Sequence, residues 1–376
     1  MKSKKFRITV VLMACAMILS SCSFGGKSKS SSKSDNYTTT GSAASGTYQG
    51  VIENGRYKTS KARGVTASNN DNTFNVKSFE SGLTNISKKV FSTKSYIFQE
   101  GQYLSKSTVE NWLGRVSKSN KTGLNPKKGK TNGTRNPVYI QSIEEQDYMK
   151  QNGNDLKLHG ITVGIGLNSV DYYKKTTNGP TYSQNISDAA MKSYGQQAAQ
   201  KVIKRLRQKK ALKNVPIVIA LYKQASDDSL VGGTFFEYSV NNGSSVGTWK
   251  KLNITNKVLP KASDATSTNS GNETDNTDFT NFKSQIQSFF PNLSGVTAQA
   301  QYENGTLSGM HITVTTQFYS ETEISSFTQY ISTAAQKYLP SGIPIDIKIQ
   351  TSTDMQAFVY RDSGQKKFSS HVFDSY

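Results

Sequence analysis

Cysteine is nearly missing from this 376-residue chain: it occurs only as Cys15 and Cys22, both close to the N-terminus. That excludes a disulfide framework, a thiolate metal site and a cysteine nucleophile anywhere beyond residue 22. Histidine is scarce too. His159, His311 and His371 lie far apart and none has a second ligand at metal-binding spacing, so no metal site is expected. The phosphate-loop pattern G-x-x-x-x-G-K-[ST] does not occur, and Gly164-Ile165-Gly166 sits inside a strand pattern, where small residues let a helix or another backbone approach. No apolar run reaches the ~20 residues that cross a bilayer as a helix. Acidic residues number 26 against 46 basic ones. No cofactor is expected, nothing marks a specific nucleic-acid motif, and stability has to come from packing.

What is present begins at the N-terminus. Lys2, Lys4, Lys5 and Arg7 precede an apolar run from Ile8 to Leu19, followed by Ser20-Ser21-Cys22. A basic segment, an apolar segment and small residues before a cut site make a secretory signal, and cysteine just after the cut is the bacterial lipoprotein pattern. Cleavage is expected after Ser21, with a diacylglyceryl group on the Cys22 thiol. The expected location is extracytoplasmic, with the membrane as partner through that lipid. Net charge is +20, and losing the four basic residues of the signal leaves +16. So basic a surface attracts polyanions in a salt-dependent way. Outside a membrane these are anionic head groups, cell-wall polymers and extracellular DNA.

Residues 22–70 are Ser-, Gly-, Thr-, Lys- and Asn-rich and read as a flexible tether, with local order around Tyr48 to Tyr57. Residues 71–260 read as a helical N-terminal part plus a first α+β unit, 261–278 as a polar linker, and 279–376 as a second α+β unit. Phe79, Leu83, Ile86 and Val90 recur at helical spacing. Ser107 and Glu110 have capping-box spacing, and Ile140 and Ile143 open another short helix in the segment Tyr139 to Lys150. Ser117 to Arg135 carries six basic residues and no acid, which predicts an exposed basic loop.

The architecture follows from a repeated order. A strand at Leu158 to Leu167, a helix burying Met191, Tyr194, Ala198, Val202 and Leu206, and strands at Val215 to Tyr222 and Thr234 to Val240 make one unit. A strand at Leu307 to Val314, a helix opening at Ser320 with Glu323, and strands at Ile343 to Ile349 and Ala357 to Tyr360 make another. Val215-Pro216-Ile217 answers Ile343-Pro344-Ile345, and Leu158-His159-Gly160 answers Leu307-Ser308-Gly309. The expected fold is α+β: duplicated β-α-β-β units with helices packed on a mainly antiparallel sheet.

Carboxylates are the remaining catalytic option, as the acid pair of a cell-wall hydrolase, the least favoured reading. Glu144, Glu145 and Asp147 are placed on the short helix, and Asp227-Asp228 in a turn; solvated surface charge accounts for both groups, and an enzyme is not expected. Asp171-Tyr172-Tyr173-Lys174-Lys175 ends a strand and is the candidate ligand platform, since aromatics beside cations suit sugars or phosphates. Lys118, Lys121, Lys127, Lys128 and Lys130 in the basic loop, with Lys204, Arg205 and Arg207 on a helix, are candidates for a cell-wall polymer or another polyanion.

Ala62-Arg63-Gly64, Gly123-Leu124-Asn125-Pro126, Glu145-Gln146-Asp147-Tyr148 and Leu167-Asn168-Ser169-Val170, with the lipoprotein signal, resemble the CamS sex pheromone lipoprotein precursors of Gram-positive bacteria. Tyr172-Tyr173-Lys174-Lys175, Gly179-Pro180-Thr181, Tyr222-Lys223-Gln224 and Asp228-Ser229 extend the resemblance over most of the mature chain. It implies a surface lipoprotein whose discarded signal is the source of a short mating peptide. The corresponding segment here is Cys15-Ala16-Met17-Ile18-Leu19-Ser20-Ser21. It differs from the Ala-, Ile-, Phe- and Leu-rich pattern of such peptides by its leading cysteine and closing serines. The resemblance implies no catalytic residues in the body.

Overall fold

Two stretches of strand-forming sequence build two separate six-stranded sheets. The structure, a computed structural model, describes residues 37–65, 76–130, 134–153, 155–261, 271–289, 295–317 and 320–374. Ser21 and Cys22 lie outside these residues. Inside the stretch read as tether, β1 (Tyr37–Thr39), β2 (Val51–Glu53) and β3 (Arg56–Tyr57) form a small antiparallel sheet. Its Val51 is buried against Ile97 and Met149, which is what orders so polar a segment.

The first large unit comprises α1 (Val76–Lys88), β4 (Ile97–Glu100), α2 (Lys106–Leu113), the two-residue strands β5 (Gly129–Lys130) and β6 (Thr134–Arg135), β7 (Ile140–Asn152) and β8 (Asp155–Asn168). The hairpin β9 (Val170–Lys174) and β10 (Thr181–Asn185) follows, then α3 (Asp188–Leu206), β11 (Ile217–Gln224), β12 (Thr234–Asn241) and β13 (Trp249–Lys251). The second unit is β14 (Ile254–Leu259), α4 (Gly271–Phe289), β15 (Gly295–Glu303), β16 (Thr306–Thr315), α5 (Glu321–Tyr338), β17 (Ile345–Gln350), β18 (Met355–Arg361) and β19 (Ser369–Val372).

The duplication is complete at the level of topology. The strand orders are β4-β7-β8-β11-β12-β13 and β14-β15-β16-β17-β18-β19. In each sheet the two central strands are parallel and joined by a crossover helix, α3 or α5, while every other pair is antiparallel. The proline parallel is a structural one: Pro216 C=O accepts from Ile161 N–H at 3.1 Å, and Pro344 C=O accepts from Met310 N–H at 3.1 Å. The α+β fold is therefore two such units, and the β-α-β-β order seen in the sequence is the middle of a larger repeat.

Several expected boundaries move. Tyr139 to Lys150 is not a helix but most of β7, held by ladders to β8 on one side and β4 on the other. Pairing on both edges overrides the local helix preference of its Glu, Gln and Lys residues. The N-cap of α2 is Ser105, whose hydroxyl accepts from Thr108 N–H at 3.2 Å, and not Ser107. Ser320 caps α5 without a side-chain hydrogen bond. Residues 271–278, read as linker, form the first turns of α4, and β14 belongs to the second sheet although it precedes residue 260. The loop from Ser117 to Arg135 is not wholly exposed, because Leu124 and Asn125 are buried in it.

The sheets differ in how they are covered. Helices α2 and α3 pack on one face of the first sheet and α1 on the other, so β11 is buried along nearly its whole length. In the second sheet α4 and α5 cover one face, and β15 and β17 alternate buried and exposed residues. Close approach of α1 depends on β8 glycines. A Cβ at Gly164 would stand 2.7 Å from the Phe79 ring, and one at Gly160 would overlap Phe91. Phe79 in turn meets Tyr222 and Phe235 at ring distances of 4.9 and 5.1 Å, and Phe91 stacks on Tyr148 at 4.5 Å. Gly164→Ala should cost about 1–3 kcal/mol by overpacking. Gly295→Ala, with nothing within 4 Å of the added carbon, should change stability by less than about 0.5 kcal/mol. Thermal melts of the two variants check this; equal melting temperatures would contradict it.

Candidate functional site

The sequence candidates fall into three places. The first is the β9–β10 hairpin, where Tyr173 pairs with Tyr182 and their rings stack at 5.7 Å. The Arg135 guanidinium lies 3.9 Å from the Tyr173 ring centre and forms an ion pair with Asp171 in which both side chains are buried. Lys175 lies 4.3 Å from the Tyr182 ring. Tyr172 donates its hydroxyl proton to Asp227 at 2.7 Å, so two groups read separately in the sequence are in contact, while Lys174 is exposed. Asp228 accepts from Ser226 within the turn. Asp171 is thus a structural anchor, and what remains open to a ligand is the edge formed by Tyr172, Tyr173, Tyr182 and Lys175.

The second place is the basic surface. Lys118, Lys121, Lys127 and Lys128 are exposed; of Lys130, in β5, only the backbone is described. Arg205 donates to the Thr122 carbonyl at 2.8 Å and lies 5.3 Å from the Trp112 ring, which ties the basic loop to α3, where Lys204 is exposed. Arg207 is consumed structurally. Its guanidinium donates to the carbonyls of Leu212, Val215, Asn241 and Gly243.

The third place holds the carboxylates, on a strand rather than a helix. Along β7 alternate side chains point to opposite faces. On one, the Glu145 carboxylate accepts from Tyr103 N–H at 3.0 Å and Leu104 N–H at 2.7 Å. Asp147 accepts from Gln102 N–H at 3.0 Å and the Gln99 amide at 3.3 Å. The pair closes the open backbone donors between β4 and α2. Burial pushes Glu145 up to about 6, and burial plus the neighbouring Glu145 pushes Asp147 well above the usual carboxylate range. These acids are not surface charges, and no substrate can reach the fully buried Asp147.

Glu144, with Glu145 beside it, lines a cavity of about 430 Å³ where β4 ends. Glu80 from α1 and Glu100 from β4 join it there, with Arg63 and Lys77 as cations and Phe98 and Ile143 among the apolar walls. Glu100 accepts from Ser60 N–H at 2.5 Å and from Tyr57. Gln146 donates to the Glu80 carbonyl at 3.2 Å and bridges to Thr84, fixing α1 against β7. Burial, then repulsion from Glu80 and Glu100, pushes Glu144 up to about 8. Nothing local in the sequence couples Glu80, Glu100 and Glu144, which lie on three elements.

Among the described residues no group of three or more His, Cys, Asp or Glu is placed to hold a metal ion. Gly243-Ser244-Ser245-Val246-Gly247 does spell the nucleophile pattern G-x-S-x-G. It links β12 to β13, however, whereas the elbow needs a strand-to-helix turn.

The class these features define is a duplicated α+β protein with a buried acidic pair, an acidic cavity and a basic outer loop in its first unit. The chain belongs to the CamS family: the model described as CamS sex pheromone cAM373 precursor matches residues 57–367. A solved sex pheromone precursor from Lactobacillus salivarius subsp. salivarius UCC118 is 55% identical, covering 90% of this chain and 100% of that one, with a TM-score of 0.85. The solved C-terminal domain of the sex pheromone staph-cAM373 precursor from Staphylococcus aureus is 28% identical, covering 81% of this chain and 98% of that one, with a TM-score of 0.70. No match is found among curated proteins.

The raised carboxyls set a pH dependence. Glu144 and Glu145 keep protons in the folded chain that the unfolded chain has released above about 4.5. The folded state then binds more protons, so this contribution to stability falls as pH rises from about 4.5 through 8. Glu144→Gln removes one such group. Its melting temperature should rise above that of the parent chain by a margin that grows from pH 5 to pH 9; a margin independent of pH would contradict the assignment.

Proposed function

We propose that this chain is the precursor of a lipid-anchored surface protein whose body binds rather than catalyses, and whose signal segment Cys15 to Ser21 is the source of a released peptide. The observation that carries the reading is Leu19-Ser20-Ser21-Cys22 behind a basic and apolar leader, in a chain whose family is named for sex pheromone precursors. The polar residues between Cys22 and Tyr37 then tether the folded units to the membrane. A binding body is supported by the way Glu145 and Asp147 are committed to backbone donors. Fractionation of cells tests the anchor. The parent chain should partition with membranes, and Cys22→Ala or inhibition of the lipoprotein signal peptidase should leave unprocessed precursor or shed protein. Unchanged processing and retention in the Cys22→Ala variant would overturn the reading.

A second reading, attachment to an anionic cell-wall polymer, is favoured by the contact between Arg205 and Thr122, which joins Lys118 and Lys121 to the helix carrying Lys204. Sedimentation with purified teichoic acid should fall steeply as salt is raised. Lys118→Ala with Lys121→Ala should weaken it at least threefold, on the order expected for lost exposed cations. Binding that ignores both salt and these substitutions would exclude this surface.

A further inference from the structure

We infer that the β9–β10 hairpin and the basic loop beside it bind a sugar-bearing anionic polymer, the tyrosines taking the sugar and the lysines the phosphate. This deepens the cell-wall polymer reading and rests on it. The two strands form a sheet of their own, and β10 is exposed along its whole length. A two-stranded hairpin outside a larger sheet is marginally stable in water. This one is fastened by the ion pair between Arg135 and Asp171, whose side chains are 8% and 3% exposed. Burying two charges carries a desolvation cost. What the pair holds in place is aromatic surface. Tyr173 and Tyr182 stand directly opposite each other, so both rings share one face, where they stack at 5.7 Å with Tyr182 37% exposed.

The same arginine joins the hairpin to the basic loop. Arg135, in β6, lies 3.9 Å from the Tyr173 ring centre and pairs across its own ladder with Gly129 of β5. Asn136 fixes the residues just before β5: its N–H donates to the Lys128 carbonyl and its side-chain amide to the Lys127 carbonyl, each at 2.9 Å. Arg115 clamps the base of this turn by donating to the carbonyls of Pro126 at 3.0 Å and Asn136 at 2.9 Å. The exposed Lys127 and Lys128 are therefore carried on the strand pair that supplies Arg135 to the hairpin, and exposed Lys175 lies 4.3 Å from the Tyr182 ring. Cations around the rings complement an anionic chain, and the rings themselves suit the C–H face of a hexose. By strand alternation this face carries Tyr173, Lys175, Tyr182 and Gln184 and no aliphatic side chain, unlike the apolar groove that receives a partner's helix.

The test is isothermal titration calorimetry of the whole chain, purified in detergent, with poly(glycerol phosphate) and with the same polymer carrying glucosyl groups. The glucosylated polymer should bind at least about fivefold tighter, the size expected of a tyrosine anchor at a binding surface. That preference should persist as salt is raised and both affinities fall. Tyr182→Ala should remove the preference and leave the affinity for the bare polymer unchanged, while Tyr182→Phe should keep the preference. Both variants should melt with the parent chain, since the Tyr182 ring is exposed. Lys127→Ala with Lys128→Ala should weaken both polymers at least about threefold. Equal affinity for the two polymers, a preference that survives Tyr182→Ala, or indifference to the lysine substitutions would overturn the inference and leave the charge-based reading standing. Binding of neither polymer at low salt would overturn both.

Discussion

The approach of α1 to β8 through glycine is the contact on which the rest of the first unit depends. Without side chains at Gly160 and Gly164, Phe91 and Phe79 reach the sheet and join an aromatic cluster with Tyr148, Tyr222 and Phe235. Aromatic contacts of this kind add to the gain from burial. The same helix then hangs over β7 with Glu80 beside Glu144, and the bridge from Gln146 to Thr84 and to the Glu80 carbonyl keeps it there. Carboxylates that would repel each other apart are held together by apolar packing a turn away. The acidic cavity is a consequence of that packing rather than of any local motif.

The duplication sharpens the contrast between the units. Both share one strand order, one parallel central pair and one crossover helix. Among the described residues, only the first has a helix on each face of its sheet. On the second sheet His311 pairs with Asp346 at 3.0 Å with both side chains exposed, a contact of little energetic weight. Cavity, acidic pair, hairpin platform and basic loop all lie in the copy with the extra helix and the extra strands.

The units themselves were legible because their periodicities are clean. α5 repeats Ile324, Phe327, Ile331 and Ala334 at helical spacing, and β17 alternates Ile with polar residues. β7 was not legible. Its Ser142, Gln146 and Asp147 are buried polar residues with hydrogen-bond partners far away in sequence, so its pattern mimics neither a half-buried strand nor a loop. The first turns of α4 carry Asn, Thr, Asp and Glu, poor helix formers that Phe279, Phe282 and Ile286 hold in place from the C-terminal side. Of the sites, the hairpin platform was visible as a local run, although its partners Arg135 and Asp227 were not. The cavity was invisible, since Glu80, Glu100 and Glu144 become neighbours only when three elements pack.

The central claim is that the packing of α1, β4 and β7 raises the Glu144 carboxyl by partial burial and by the neighbouring Glu80 and Glu100. A pH titration of its carboxyl carbon by 13C NMR reports on that group alone. A midpoint near 8 is predicted; a midpoint at the ordinary glutamate value near 4.5 would mean that the cavity is wet and open and would contradict the account.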